Sequence, residues 1–141
     1  MNQFQLNTTL NQDCFTLGTI KNSLILLLNN KHYPWFIIVP KTSIEQIDLL
    51  DESLQVDLLQ QSSQLSKFIR GNYTIDKINI ASIGNMVPQI HIHVIGRSKT
   101  DPSWPGVVWG QTHKTEYTKE EALKVQNKLK TFIPELQESS I

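Results

Sequence analysis

Two histidines and one glutamine alternate with apolar residues in the segment Gln-Ile-His-Ile-His-Val-Ile at residues 89–95. Successive side chains of a β-strand point to opposite faces, so a strand here would place Gln89, His91 and His93 on one face. Side chains on one face lie roughly 6–7 Å apart along the strand, which matches the span of a phosphate group and its leaving group. The pattern therefore predicts an apolar face in the core and a row of three polar side chains in a cleft.

Such a row of side chains is suited to chemistry at phosphorus. A neutral imidazole is a nucleophile when its second nitrogen is held by a hydrogen bond. Its attack on a nucleotide would form a nucleotidyl-histidine, whose P–N bond becomes labile on protonation, so that water can complete the reaction. His93 and Gln89 could meanwhile donate hydrogen bonds to the phosphoryl oxygens.

Three other interpretations of the histidine pair remain open. Two histidines at this spacing can bind a metal ion, but no carboxylate follows within the next few residues, and His32 or His113 could join only through long-range folding. The pair could also be structural, with its hydrogen bonds satisfied inside the protein. Finally, the segment could belong to a nucleotide-binding domain without catalysis.

Length and composition narrow the class of protein. A chain of 141 residues with 13 basic and 13 acidic side chains fits one globular domain, without a basic surface for nucleic acid or membrane. The first 20 residues resemble neither a signal peptide nor a transit peptide. The longest apolar run, Leu24 to Leu28, is too short to span a bilayer. A lone cysteine, Cys14, excludes an internal disulfide, and we expect a cytoplasmic protein.

The order of elements predicts an α+β fold, in which helices pack on an antiparallel sheet. Strands are expected at residues 23–29, 35–39, 77–83 and 89–95. Ser43 with Gln46 fits a capping box that opens a short helix, and Thr118 with Glu121 fits another that opens a helix at about 119–133. Between them, Asp51 could cap a longer helix that ends at Gly71.

An irregular segment at residues 100–115 contains two tryptophans, Trp104 and Trp109. Tryptophans in such a loop usually pack against the domain or against a partner subunit. The functional alternative is that one of them borders the substrate pocket.

The segment 85–97, Asn-Met-Val-Pro-Gln-Ile-His-Ile-His-Val-Ile-Gly-Arg, resembles the signature of the histidine triad (HIT) family. That signature is His-φ-His-φ-His-φ-φ, where φ is apolar, often followed by an arginine. Gln89 stands in place of the first histidine, His91 in place of the family's nucleophile and His93 in place of the third histidine. A Gln89→His change is therefore expected to be tolerated.

Two flanking regions extend the resemblance. Residues 28–40 look like the family's nucleotide hairpin, in which a residue near Asn29 holds the ribose hydroxyls, with Pro34-Trp35 in place of a frequent Gly-His pair. The Trp-Pro-Gly sequence that begins at Trp104 resembles the tail of some members. Asn85 and Arg97 are candidates for phosphate contacts, and Trp104 for the pocket.

The resemblance covers about residues 20–110 and implies a HIT-like α+β fold, in a single domain of residues 1–141 that forms a homodimer. It further implies a hydrolase or nucleotidyl transferase that cleaves at the α-phosphate of nucleoside 5′-phosphate derivatives. The substrates would be dinucleoside polyphosphates, such as diadenosine tetraphosphate, or nucleoside phosphoramidates. No cofactor or metal is required, although Mg²⁺ can accompany a polyphosphate. A non-catalytic nucleotide-binding regulatory dimer and a metal-dependent hydrolase remain the alternatives.

Overall fold

A computed structural model describes residues 3–141 as an antiparallel sheet with helices packed against it. In chain order the elements are α1 (Thr8–Asp13), β1 (Cys14–Ile20), β2 (Ser23–Leu28), β3 (Trp35–Pro40), a 3₁₀ turn (Ile47–Leu49), α2 (Glu52–Asn72), β4 (Lys77–Ala81), β5 (Ile92–Arg97), α3 (Lys119–Phe132) and β6 (Gln137–Glu138). The strands are ordered β4-β5-β3-β2-β1-β6, and every neighbouring pair is antiparallel. The predicted α+β fold class is confirmed.

Both faces of the central strand β3 are buried, which explains its continuous apolar sequence. Phe36 and Ile38 belong to the hydrophobic cluster that contains the buried faces of α2 and α3. Trp35, Ile37 and Val39 belong to a second cluster on the opposite face, which includes residues of the N-terminal segment and of the irregular segment 100–115. The second face carries the histidines described below.

Helix α2 packs closely against strand β5 at Gly96. A β-carbon at this position would lie 2.6 Å from Pro34 Cγ and 2.7 Å from Ile69 Cγ2. These distances are shorter than a carbon contact allows, so only glycine fits between the helix and the strand. The helix begins after Asp51, as predicted, and continues one residue beyond Gly71.

The Thr118 capping box is confirmed. The backbone N–H of Glu121 donates to the Thr118 hydroxyl at 3.1 Å, and the N–H of Thr118 donates to the Glu121 carboxylate at 2.8 Å. Helix α3 then ends at Phe132, close to the predicted boundary.

The prediction of a capping box at Ser43 and Gln46 is wrong. Residues 41–46 form no helix, and only a 3₁₀ turn follows, at Ile47–Leu49. The backbone N–H of Ile44 instead donates to the Thr42 hydroxyl, which stabilises a local turn that competes with a helix. Among residues 3–141, no helix combines the length and the apolar character needed to cross a membrane.

Candidate active site

A cleft with a volume of about 440 Å³ opens on the sheet face that carries His91 and His93. Trp35 of β3 and Trp109 of the irregular segment form part of its apolar wall, and Asn85 contributes an amide. The two imidazoles are only 6% and 7% exposed, and their ring centroids lie 4.9 Å apart. The predicted pair of histidines therefore shares one cleft.

His91 lies immediately before strand β5, because the strand begins at Ile92 and not at Gln89 as expected. The neighbouring strand β4 ends at Ala81, opposite His93, so residues 89–91 have no β4 partner. The Nδ1 atom of His91 lies 2.6 Å from the main-chain carbonyl oxygen of Gln89. Since a carbonyl only accepts, Nδ1 carries the proton and Nε2 keeps its lone pair in the neutral ring.

His93 has the opposite arrangement of donor and acceptor. The indole Nε1–H of Trp35 donates to its Nδ1 atom at 2.9 Å, so Nε2 carries the proton in the neutral ring. Burial, together with the neighbouring His91, lowers the pKa of His93 to about 4. His93 is therefore neutral at physiological pH and offers an Nε2–H donor beside the free lone pair of His91.

Trp109, and not Trp104, is the tryptophan that borders the cleft. Its ring centroid lies 5.2 Å from that of His93 and 5.9 Å from that of Trp35, both in edge-to-face geometry. Trp104 instead contacts the buried Arg97, whose guanidinium carbon is 5.9 Å from the Trp104 ring centroid. The expectation that Trp104 borders the pocket is corrected, because the loop folds its side chain onto Arg97.

Arg97 does not line the cleft, although the sequence made it a candidate for phosphate. Its guanidinium, 2% exposed, donates to both carboxylate oxygens of Asp101, to the Asn79 side chain and to the Gly106 carbonyl. Burial tends to raise the pKa of Asp101, but hydrogen bonds from Arg97 and from backbone N–H groups hold that pKa below its usual value. Arg97 therefore holds the loop that follows β5.

Asn29 and Gln89 do not line the histidine cleft itself. Asn29 lines an adjoining cavity of about 280 Å³, and its Oδ1 accepts the Tyr117 N–H at 2.8 Å. The cavity and the cleft share five lining residues, which are Asp13, Leu28, Trp35, Trp109 and Gly110. The Gln89 side chain is hydrogen-bonded to the backbone of residues 5 and 7 instead of facing the histidines. Of the three side chains predicted to share the cleft, only those of His91 and His93 therefore do so.

Sequence reasoning missed the helix that closes one side of the cleft. Thr9, Leu10 and Asp13 of α1 all line it. A six-residue helix is too short to show a periodic apolar pattern, so no sequence signal indicates this wall.

Within residues 3–141, no group of three or more His, Cys, Asp or Glu side chains is arranged to hold a metal ion. His32 and His113, the histidines that could have added a ligand, lie beside each other with ring centroids 6.3 Å apart and do not line the cleft.

The family model described as the HIT domain matches residues 9–100, and the chain belongs to the histidine triad family. A histidine triad protein from Marinobacter aquaeolei VT8 is 40% identical, with a TM-score of 0.90, and the match covers 96% of this chain and 100% of that one. The histidine triad protein blr8122 from Bradyrhizobium japonicum is 32% identical, with a TM-score of 0.88 and coverage of 94% and 99%.

A third structure, a HIT protein from Sinorhizobium meliloti 1021, is 30% identical, with a TM-score of 0.88 and coverage of 92% and 97%. A comparison with curated proteins finds no match. The family assignment confirms the resemblance inferred from the histidine segment. Proteins of this family bind nucleotides, and many of them hydrolyse nucleotides.

Proposed function

We propose that this protein is a nucleotide hydrolase or nucleotidyl transferase that acts at the α-phosphorus of nucleoside 5′-phosphate derivatives, with His91 as the nucleophile. The observation that carries the proposal is the pairing of two adjacent imidazoles whose hydrogen bonds favour opposite tautomers. His91 has its Nδ1–H held by a carbonyl and its Nε2 lone pair free, while His93 has a free Nε2–H. One ring is suited to attack, and the other to donate to a phosphoryl oxygen.

The reaction divides into two displacements. In the first, the Nε2 lone pair of His91 forms a bond to phosphorus, and the bond from phosphorus to the leaving group breaks with its electron pair on that group. The leaving group takes a proton from solvent. The proton on Nδ1 of His91 stays there and keeps its hydrogen bond to the Gln89 carbonyl oxygen. In the second, water attacks phosphorus, the P–N bond breaks back to His91, and the water's proton returns to solvent. Another acceptor in place of water would give transfer.

The substrate class follows from the walls of the cleft. Trp35, Ile37 and Trp109 offer apolar and aromatic surface for a nucleobase, and Asn85 offers an amide for a phosphoryl oxygen. Asn29, in the neighbouring cavity, could donate its side-chain amide to a ribose hydroxyl. These features fit dinucleoside polyphosphates, such as diadenosine tetraphosphate, with Mg²⁺ bound to the polyphosphate, and nucleoside phosphoramidates. We further propose that the protein acts on these substrates in the cytoplasm.

We further propose a homodimer in which two copies meet at strand β4. This strand lies at the edge of the sheet, so its outer backbone groups are available to pair with another strand. Ile80 on this strand is 52% exposed, and an apolar side chain on an unpaired edge favours a second copy as its cover.

The function is tested with a panel of adenosine and guanosine phosphoramidates and dinucleoside polyphosphates, assayed with Mg²⁺ and with a chelator. We expect release of the nucleoside 5′-monophosphate from at least one compound by the wild-type protein and release about 10⁴-fold slower by His91→Asn. Nucleotide binding without turnover of any compound would contradict catalysis and favour a nucleotide-binding regulatory dimer. Turnover that survives in His91→Asn and requires a tightly held metal would favour a metal-dependent hydrolase.

A further inference from the structure

The N-terminal arm, defined as residues 3–13, covers the sheet face that carries the two histidines. Phe4 and Leu6 pack against the hydrophobic cluster that contains Trp35 and Ile37, and Leu10 is only 5% exposed within that cluster. The end of the arm is α1, whose residues line the cleft. The arm is therefore a wall of the cleft as well as a cover for the core.

The arm is held to the rest of the protein by the side chain of Gln89. The Gln89 Nε2 group donates to the carbonyl of Gln5 at 2.9 Å, and the backbone N–H of Asn7 donates to Gln89 Oε1 at 2.8 Å. One amide thus pairs with the arm in the way that a neighbouring strand would. The main-chain carbonyl of the same residue accepts the Nδ1–H of His91.

We infer that Gln89 is a positioning residue, which clamps the N-terminal arm so that α1 forms a wall of the nucleotide cleft. The part of this inference that concerns nucleotide rests on the proposed function. Gln89 does not touch the reacting atoms through its side chain, because that side chain points to the arm. The Gln89 side chain affects nucleotide affinity through the arm. The Gln89 main-chain carbonyl accepts the Nδ1–H of His91, and a substitution at position 89 keeps this carbonyl.

A glutamine suits this task better than a histidine does. A primary amide presents a donor and an acceptor side by side, which matches the spacing of backbone groups on an extended chain. The two nitrogens of an imidazole point away from each other, and protonation removes the acceptor. Gln89→His is therefore expected to release the arm, contrary to the tolerance that the family signature alone predicts.

The clamp itself is tested without nucleotide, by hydrogen exchange on the full-length chain. Gln89→Met keeps the length of the side chain and removes both hydrogen bonds. Exchange at the backbone amides of residues 8–13 should become about 30-fold faster, because both hydrogen bonds that hold the arm are lost. Gln60→Met, which changes an exposed glutamine on α2, is the matched control and should leave this exchange unchanged. Unchanged exchange in Gln89→Met would overturn the clamp.

A second variant removes one of the same two hydrogen bonds by a change in the arm. Asn7 has φ −51°, which proline tolerates, so Asn7→Pro removes the N–H that binds Gln89 and keeps the φ of residue 7. Asn7→Ala is the control, because it also loses the cap of α1 but keeps that N–H. Exchange should be faster in Asn7→Pro than in Asn7→Ala. Adding Gln89→Met to Asn7→Pro should have less effect than Gln89→Met has alone, and full additivity would contradict the pairing.

The wall is tested with adenosine 5′-monophosphate as the probe. In Gln89→Met its dissociation constant should rise about five- to tenfold, since a mobile wall must be ordered on binding. Turnover at saturating substrate should change much less, and Gln89→Glu, which keeps only the acceptor, should not restore affinity. A large fall in kcat with an unchanged KM would overturn the inference and assign the amide to the substrate. If the wild-type protein fails to bind the probe, the proposed function fails, and the exchange measurements still decide the clamp.

Discussion

The chemistry of the cleft depends on the protonation of two neighbouring imidazoles. A carbonyl oxygen facing Nδ1 of His91 and an indole N–H facing Nδ1 of His93 select opposite tautomers in rings that are almost fully buried. Neither hydrogen-bond partner, the carbonyl or the indole, carries a charge. These two hydrogen bonds orient the rings without a carboxylate, and in the neutral rings Nε2 of His91 is an acceptor and Nε2 of His93 is a donor.

Trp35 is expected to control the ionisation of His93. Burial and the neighbouring His91 lower the pKa of His93 to about 4, and the indole N–H adds to this because it binds only the neutral ring. Trp35→Phe keeps an aromatic ring and removes the donor, so the pKa of His93 should rise. A titration followed by NMR of ¹⁵N-labelled histidine measures both the pKa and the tautomer. An unchanged pKa and a retained Nε2–H tautomer would contradict this role.

The same lowered pKa makes the folded protein sensitive to acid. His93 binds a proton more weakly in the folded chain than in the unfolded chain, where its pKa is near 6.5. The contribution of neutral His93 to stability is therefore complete above pH 6.5 and is lost as the pH falls towards about 4. Urea unfolding at several pH values should show a smaller loss over this range in His93→Phe than in the wild-type protein.

At the scale of elements, the position of β5 depends on the glycine that faces α2. Gly96→Ala should lower the free energy of unfolding by about 1–3 kcal/mol, because the new methyl group overlaps Pro34 and Ile69. Gly71→Ala is the matched control, since a β-carbon there meets nothing within 4 Å and lies inside α2. That control should gain about 0.5–1 kcal/mol from helix propensity. Equal effects of the two changes in urea unfolding would contradict the close approach.

The elements also differ in how well sequence predicts them. Strands β2 and β3 and helix α2 follow from apolar pattern and length, and α3 follows from a capping box that the structure contains. Strands β1 and β6 and helix α1 were not predicted. Ser43 and Gln46 have the same spacing as that capping box but form no cap, and the N–H of Ile44 instead donates to the Thr42 hydroxyl in a local turn. Local spacing alone does not show whether a segment forms a helix or a turn.

The site was predictable where its residues are adjacent in sequence. His91 and His93 are two residues apart, so strand geometry alone placed them near each other. The contacts of Trp35, Trp109 and the N-terminal arm join residues separated by up to 84 positions, as in the bond from Gln89 to Gln5. No local sequence pattern encodes such contacts. For that reason the predictions that Gln89 faces the histidines and that Trp104 borders the cleft were wrong.

At the scale of the whole molecule, the open edge of the sheet predicts the assembly. Ile80→Lys should convert the proposed dimer to a monomer, because it places a charge on the edge at β4. Gln137→Lys makes the same addition on β6, at the opposite edge, and should leave the dimer intact. Light scattering at micromolar concentration measures both. A wild-type protein that is monomeric under these conditions would contradict the dimer.

The proposed function rests on a covalent bond between His91 and the α-phosphorus of a nucleotide. The most direct test is to mix the protein with a substrate radiolabelled at the α-phosphate, quench rapidly, and measure the label that stays on the chain. We expect acid-labile, alkali-stable label in the wild-type protein and in the exposed control His32→Asn. His91→Asn should carry no label, and its turnover rate should be about 10⁴-fold lower. Label or near-normal turnover in His91→Asn would show that His91 is not the nucleophile.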